Sequence, residues 1–193
     1  MKYVNRDLKG TFGYIKKQFI FEIIKTVILY LMAFGIFFIG YFSLGTKKSL
    51  WSVFAVLALL PACKSLVGVI MLGRYKSLKD DVYNKYITSA GDVECIYENI
   101  ITTSQKTFFL PVIACEDNTV VGYINTNKAS DVKDVTEHLS NVLKNAGHKV
   151  ATIKIFDNEE AYINRVKQMN NNLAKERLAS TQEIFTTIKA VSL

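Results

Sequence analysis

The chain has 193 residues, half of them hydrophobic, with 24 basic and 17 acidic side chains and a net charge of +7. Its three cysteines and two histidines show no paired spacing, which leaves almost no material for a zinc site, a disulfide framework or a histidine-based triad. The charge is also uneven: residues 1–76 hold 11 basic and 2 acidic side chains, residues 77–193 hold 13 and 15, the reverse of the split expected for a soluble nucleic-acid-binding domain, so no nucleic-acid partner is expected.

Residues 1–18 mix Lys2, Arg6, Lys9, Lys16 and Lys17 with Tyr3, Phe12, Tyr14 and Ile15. Such a segment suits the cytoplasmic leaflet, although Gly10 and Gly13 interrupt any continuous amphipathic helix. Residues 19–74 read as a transmembrane hairpin. Thr26 to Thr46 is uncharged over 21 residues and a second apolar run extends from Ser49 to Gly73, giving spans at about 22–45 and 49–73. The apolar part of the first run is too long for a signal peptide and lacks a small-residue cleavage site, so it reads as an uncleaved anchor. Basic residues precede the first span, and Arg74, Lys76 and Lys79 follow the second, while the loop holds only Lys47 and Lys48. Both termini are therefore expected in the cytoplasm, with the lipid bilayer as one partner.

Ala55, Ala58, Ala62 and Ser65 line one face of the second span, and Ala33 and Gly40 one face of the first, which predicts close packing within the hairpin ahead of a subunit interface. Lys64 lies on a different face, with Leu57, Leu60, Pro61 and Gly68. Three fates suit it: snorkelling to the cytoplasmic headgroups, pairing with Glu22 or another subunit, or lining an ion or substrate path in an oligomer. Glu22 and Lys25, three apart, are also placed to pair with each other.

Residues 75–193 read as one cytosolic α/β domain. Ser77 to Ser89 is predicted helical, with Gly91 as its stop. Val93–Thr102, Thr107–Cys115 and Thr119–Asn125 follow as strands, the last two joined by a Glu116-Asp117-Asn118 turn, and Pro111 predicts an edge position or a bulge for the second. Ser130 or Asp131 caps a helix carrying Val132, Val135, Leu139, Val142 and Ala146. Lys149–Phe156 is a fourth strand, parallel to the third through that crossover, in a mixed sheet. From Glu159 onward two apolar stripes are offset across Asn170, Asn171 and Asn172, which predicts a bend or two helices. The stripe at Leu178, Thr181, Phe185 and Ile188 serves equally for packing on its own sheet or against a second chain.

The resulting order, α-β-β-β-α-β-α, resembles the core of restriction-endonuclease-like folds. That chemistry implies an acid on the second strand and an acid-x-Lys on the third; the second strand has none and the third runs into Asn125, Thr126, Asn127 and Lys128. Glu94, Glu98, Glu116 and Asp117 are the remaining weak carboxylate candidates for a degenerate hydrolase. The segments NRDLKG (5–10), LGTKKSLW (44–51), LPACKSL (60–66) and AVSL (190–193) resemble an uncharacterised family of two-span membrane proteins from Gram-positive bacteria. Members are often labelled O-linked GlcNAc transferase-like, an activity that needs a larger nucleotide-binding scaffold and phosphate-cradling loops. No Walker loop, GxGxxG, GxSxG or HExxH occurs, so no catalytic residue, metal or cofactor is assigned. The sequence reads as a membrane-anchored, non-catalytic α/β module that binds a protein partner or itself; the alternatives are the degenerate hydrolase and a subunit of an oligomeric pore or transporter with Lys64 on a shared axis.

Overall fold

A computed structural model describes residues 9–44, 50–103, 105–116, 118–148, 152–172 and 179–192. Two compact units result: Ile15–Lys76, and the described residues on either side of it. Asp117, Lys47, Lys48 and the start of the expected fourth strand lie outside the described residues.

The first unit is built on two helices, α1 (Tyr14–Leu44) and α2 (Leu50–Gly73). At 1.5 Å per residue they measure about 46 and 36 Å, long enough to cross a bilayer core of ~30 Å. Beyond Tyr14 and Ile15, their buried positions recur at sevens and are small except for Leu72: Thr26, Ala33 and Gly40 on α1, Ala55 and Ala62, then Ser65 and Leu72, on α2. A seven-residue repeat keeps one seam in register along two helices, and small side chains let the backbones approach closely. A Cβ on Gly73 would stand 3.2 Å from the Phe19 ring. Outside that seam most of the surface is apolar. Among the described residues every exposed large hydrophobic side chain lies on α1 or α2, with Ile87 the one exception.

The second unit contains α3 (Asp80–Ala90), β1 (Glu94–Thr102), β2 (Thr107–Glu116), β3 (Thr119–Tyr123), α4 (Ala129–Asn145), β4 (Thr152–Phe156), α5 (Glu159–Asn171) and α6 (Ala179–Val191). The sheet runs β1-β2-β3-β4, an antiparallel meander followed by β4 parallel to β3, as the α4 crossover requires. Val135, Leu139 and Leu143 of α4 and Ile184, Phe185 and Ile188 of α6 pack on one sheet face with Ile113, Cys115, Val120 and Ile155. Tyr86 and Ala90 of α3 and Tyr162, Val166 and Met169 of α5 pack on the other with Val112, Ala114 and Val121. The element order is the expected one, in three layers. The offset stripes are two separate helices, and α6 buries its stripe on its own sheet.

β2 is an inner strand, so the edge position expected from Pro111 is wrong, and no residue is inserted either: Tyr97↔Val112 and Asn99↔Leu110 keep one register on both sides of it. The proline is accommodated in two ways. Pairing with β3 starts only at Val112↔Tyr123, so the missing N–H falls beyond the end of that ladder. Opposite Pro111, Glu98 adopts a φ of 54°, a conformation that side chains rarely take. The facing of side chains slips there by one on both strands. Ile96 and Ile113 face α4 and α6, and so do Ile101, Phe108 and Leu110, which strict alternation would turn away.

The open edge of β1 is covered by backbone. Tyr97 N–H donates to the Gly10 carbonyl at 2.8 Å, and Ile101 forms a bridge with Ser192. Lys9 Nζ donates to the Ser192 carbonyl at 2.8 Å, and the Phe12 ring stacks on Tyr83 at 4.1 Å. Residues 9–14 thus belong to the α/β unit, where the sequence placed residues 1–18 on the leaflet. Gly10 has φ 80°, and a Cβ there would meet Ile96 Cβ at 3.0 Å and Lys189 Cε at 2.8 Å. The substitution Gly10→Ala is expected to cost about 1–2 kcal/mol and to speed exchange at the Tyr97 amide, read by hydrogen–deuterium exchange. An unchanged Tyr97 exchange rate would mean that Gly10 does not cover the edge.

Candidate functional site

The seam between α1 and α2 carries a polar cluster around Glu22. Glu22 pairs with Lys25 at 2.6 Å, one turn along α1, as their spacing predicted. From α2, Ser65 Oγ donates to Glu22 Oε2 at 3.1 Å. Thr26 Oγ1 lies 2.8 Å from Ser65 Oγ and 2.7 Å from the Glu22 carbonyl, and its single proton serves one of them. Gly68 lies beside the carboxylate, where a Cβ would approach Oε2 at 3.6 Å. This is a staple: Ser65 of α2 and Lys25 of α1 satisfy an acid that apolar surroundings would otherwise leave costly, and Thr26 braces it through the Glu22 carbonyl and Ser65. Lys64 takes no part. It is exposed on the outer face of α2 and forms no ion pair among the described residues, so the pairing with Glu22 is not made.

The carboxylate candidates do not converge either. Glu98 is buried, and its Oε1 accepts from Ser77 Oγ and, at 2.9 Å, from Leu78 N–H. It holds the chain extended ahead of α3, which is why that helix starts at Asp80 instead of Ser77. Glu94 stands opposite Cys115, and Glu116, one residue on, points to the opposite face; Glu98 lies about 13 Å further along β1. Among the described residues no group of three His, Cys, Asp or Glu side chains could hold a metal ion. His148 Nε2 lies 2.9 Å from Thr187 Oγ1, joining the end of α4 to α6, while His138 buries its Nε2 without a partner among the described residues. Of the three cysteines, Cys115 is buried, Cys95 half-buried and Cys63 exposed on α2.

Two further features escape a sequence reading. Behind the sheet, Tyr83, Tyr86, Tyr97, Tyr123 and Tyr162 gather from α3, β1, β3 and α5. Tyr83 and Tyr97 meet edge-on at 4.8 Å, Tyr86 and Tyr162 at 6.1 Å, and Tyr123 lies 6.2 Å from Tyr162. Burial holds the Tyr86, Tyr97 and Tyr162 phenols well above the usual tyrosine range, with Glu159 adding to the effect on Tyr86. Burial likewise pushes the Cys95 thiol up to about 12, with the Tyr97 and Tyr162 hydroxyls partly opposing it. A thiol held protonated is a poor nucleophile, so the cluster is aromatic packing. Each tyrosine sits in an apolar stripe of its own element, and only the tertiary fold brings them together.

The second feature is topological. The connection leaving β3 enters α4 on one sheet face, and that leaving β4 enters α5 on the other, the arrangement at which open α/β sheets bind ligands. The polar groups there are spent on each other. Asn158 caps α5 by accepting from Glu160 N–H at 2.8 Å, and Asp131 accepts from Thr126 Oγ1 at 2.9 Å and Lys106 Nζ at 3.1 Å. No protein family, curated protein or solved structure matches the chain.

Removing the Glu98 carboxylate by Glu98→Ala leaves Ser77 and Leu78 without their acceptor and is expected to cost about 2–4 kcal/mol, read by chemical denaturation of the detergent-solubilised chain. The tyrosines set an alkaline limit. Their folded pKa values lie above the unfolded value, so the stability they contribute is complete below pH ~10 and is lost as pH rises through the folded values. Ultraviolet titration should show Tyr86, Tyr97 and Tyr162 ionising only with unfolding; smooth ionisation near pH ~10 in the folded chain would contradict the burial.

Proposed function

We propose that this chain is a two-span membrane protein that tethers a non-catalytic α/β unit to the cytoplasmic face, where the unit binds a protein partner or a second copy of itself. One observation carries the reading: the exposed apolar side chains are concentrated on α1 and α2, and only 17% of the most apolar 18-residue window of each is buried. A core helix of a soluble protein would be mostly covered. Leaving such surface in water costs roughly 25 cal/mol per Å², which a bilayer avoids, while both helices satisfy their backbone groups internally. The basic residues flanking the two outer ends of the hairpin favour cytoplasmic termini, and the resemblance to a two-span family supports the same topology.

A binding role for the α/β unit is supported by how its polar groups are used. Glu98, the most buried of the candidate acids, is committed to Ser77 and Leu78, which leaves the hydrolase reading without an assembled site among the described residues. Among the described residues Ile87 alone offers a large exposed hydrophobic side chain on this unit, so the contact with a partner is expected to be polar and reversible.

Alkaline carbonate extraction is expected to leave the chain in the membrane pellet and detergent to release it. In a chain whose native cysteines are replaced by alanine, Ser49→Cys should react with an impermeant maleimide on intact cells and Asn127→Cys only after permeabilisation. The reverse labelling pattern would invert the topology, and release by carbonate would remove the anchor. Native mass spectrometry of the gently extracted complex then reads partner or copy number, and a bare monomer would count against the binding role.

A further inference from the structure

Among the described residues Lys64 is a charge without a counter-charge. It lies six residues, or about 9 Å, inside Ile70, the last exposed large hydrophobic residue of α2, and shares its face with Leu57, Leu60 and Pro61, all exposed. In an α-helix the Cα–Cβ bond leans toward the N-terminus, so the four-carbon stem of Lys64 starts out directed away from the nearer end of the hairpin. Snorkelling alone therefore brings its ammonium out of the hydrocarbon poorly, and the one acid of this unit, Glu22, is taken by Lys25 and Ser65. At the same end of the hairpin stand Lys16, Lys17, Arg74 and Lys76, so that with Lys25 and Lys64 six basic side chains face a single carboxylate. Such a collar enriches anionic headgroups in the adjacent leaflet.

We propose, resting on the membrane reading above, that Lys64 anchors one anionic phospholipid per chain. The headgroup phosphate is drawn inward to meet the ammonium, and an acyl chain lies over Leu57, Leu60 and Pro61. The collar supplies the preference for an anionic lipid, and Lys64 fixes its position on the outer face of α2. A second copy of this chain pairing through the same face would bring Lys64 against Lys64, a like-charge contact that the phosphate avoids.

The test reconstitutes the full chain in mixed vesicles of phosphatidylcholine and phosphatidylglycerol, extracts it gently and counts bound lipids by native mass spectrometry. The unsubstituted chain and Lys64→Arg should each retain one phosphatidylglycerol. Lys64→Leu, which removes a charge from an apolar helix and so does not threaten folding, should lower the ratio of phosphatidylglycerol to phosphatidylcholine about fivefold. An equal ratio in Lys64→Leu, or no preference for phosphatidylglycerol in the unsubstituted chain, overturns the lipid site while leaving the anchor intact. A chain that stays soluble without detergent and carries no lipid overturns the membrane reading itself.

Discussion

The disposal of apolar surface is the constraint on which the rest of this molecule depends. The α/β unit solves it internally, with two helices on each face of a four-stranded sheet. The helical unit does not. It buries a narrow seam of mostly small residues and turns Ile, Leu, Val and Phe outward along most of its length. At ~1.5–3 kcal/mol for each large side chain fully transferred from water, that surface represents tens of kcal/mol, far above the net stability of a typical domain. The two units therefore differ in kind: one has a core, and the other exposes two apolar helices long enough to cross a bilayer.

Polar groups inside both units serve as fasteners. Glu22 is neutralised by Lys25 and tied across the seam by Ser65; Glu98 receives Ser77 and the Leu78 amide. Each acid is held by groups close in the fold, the condition under which a low-dielectric setting strengthens a polar contact instead of penalising it. An acid so used is unavailable for chemistry. Asn99, one residue beyond Glu98, buries both amide atoms without a partner among the described residues, a setting that carries a desolvation cost.

The distortion at Glu98 and Pro111 links local strain to architecture. A proline within an inner strand and a positive φ opposite it are each unfavourable alone. Together they turn the outer half of the β1–β2 hairpin, so that Ile101, Phe108 and Leu110 join the face covered by α4 and α6. The helix after Asn172, which the sequence left equally suited to a second chain, finds there the surface its stripe requires.

Periodicity and hydrophobic length were enough to read the two long helices, the element order, the parallel return of β4 and the small-residue seam, because each depends on side-chain repeats along one stretch of chain. Helix and strand ends were read less well. Ser77 looked helical until Glu98, 21 residues away, held it extended, and Pro111 looked like an edge because the accommodating residue lies on another strand. The tyrosine cluster, the covering of the β1 edge by Gly10 and Ser192, and the bond from Ser65 across the seam to Glu22 were decided by tertiary structure alone. Sequence determines what each segment must hide and what it can pair with; which partner it meets depends on contacts between residues far apart in the chain, and those exist only once the fold closes.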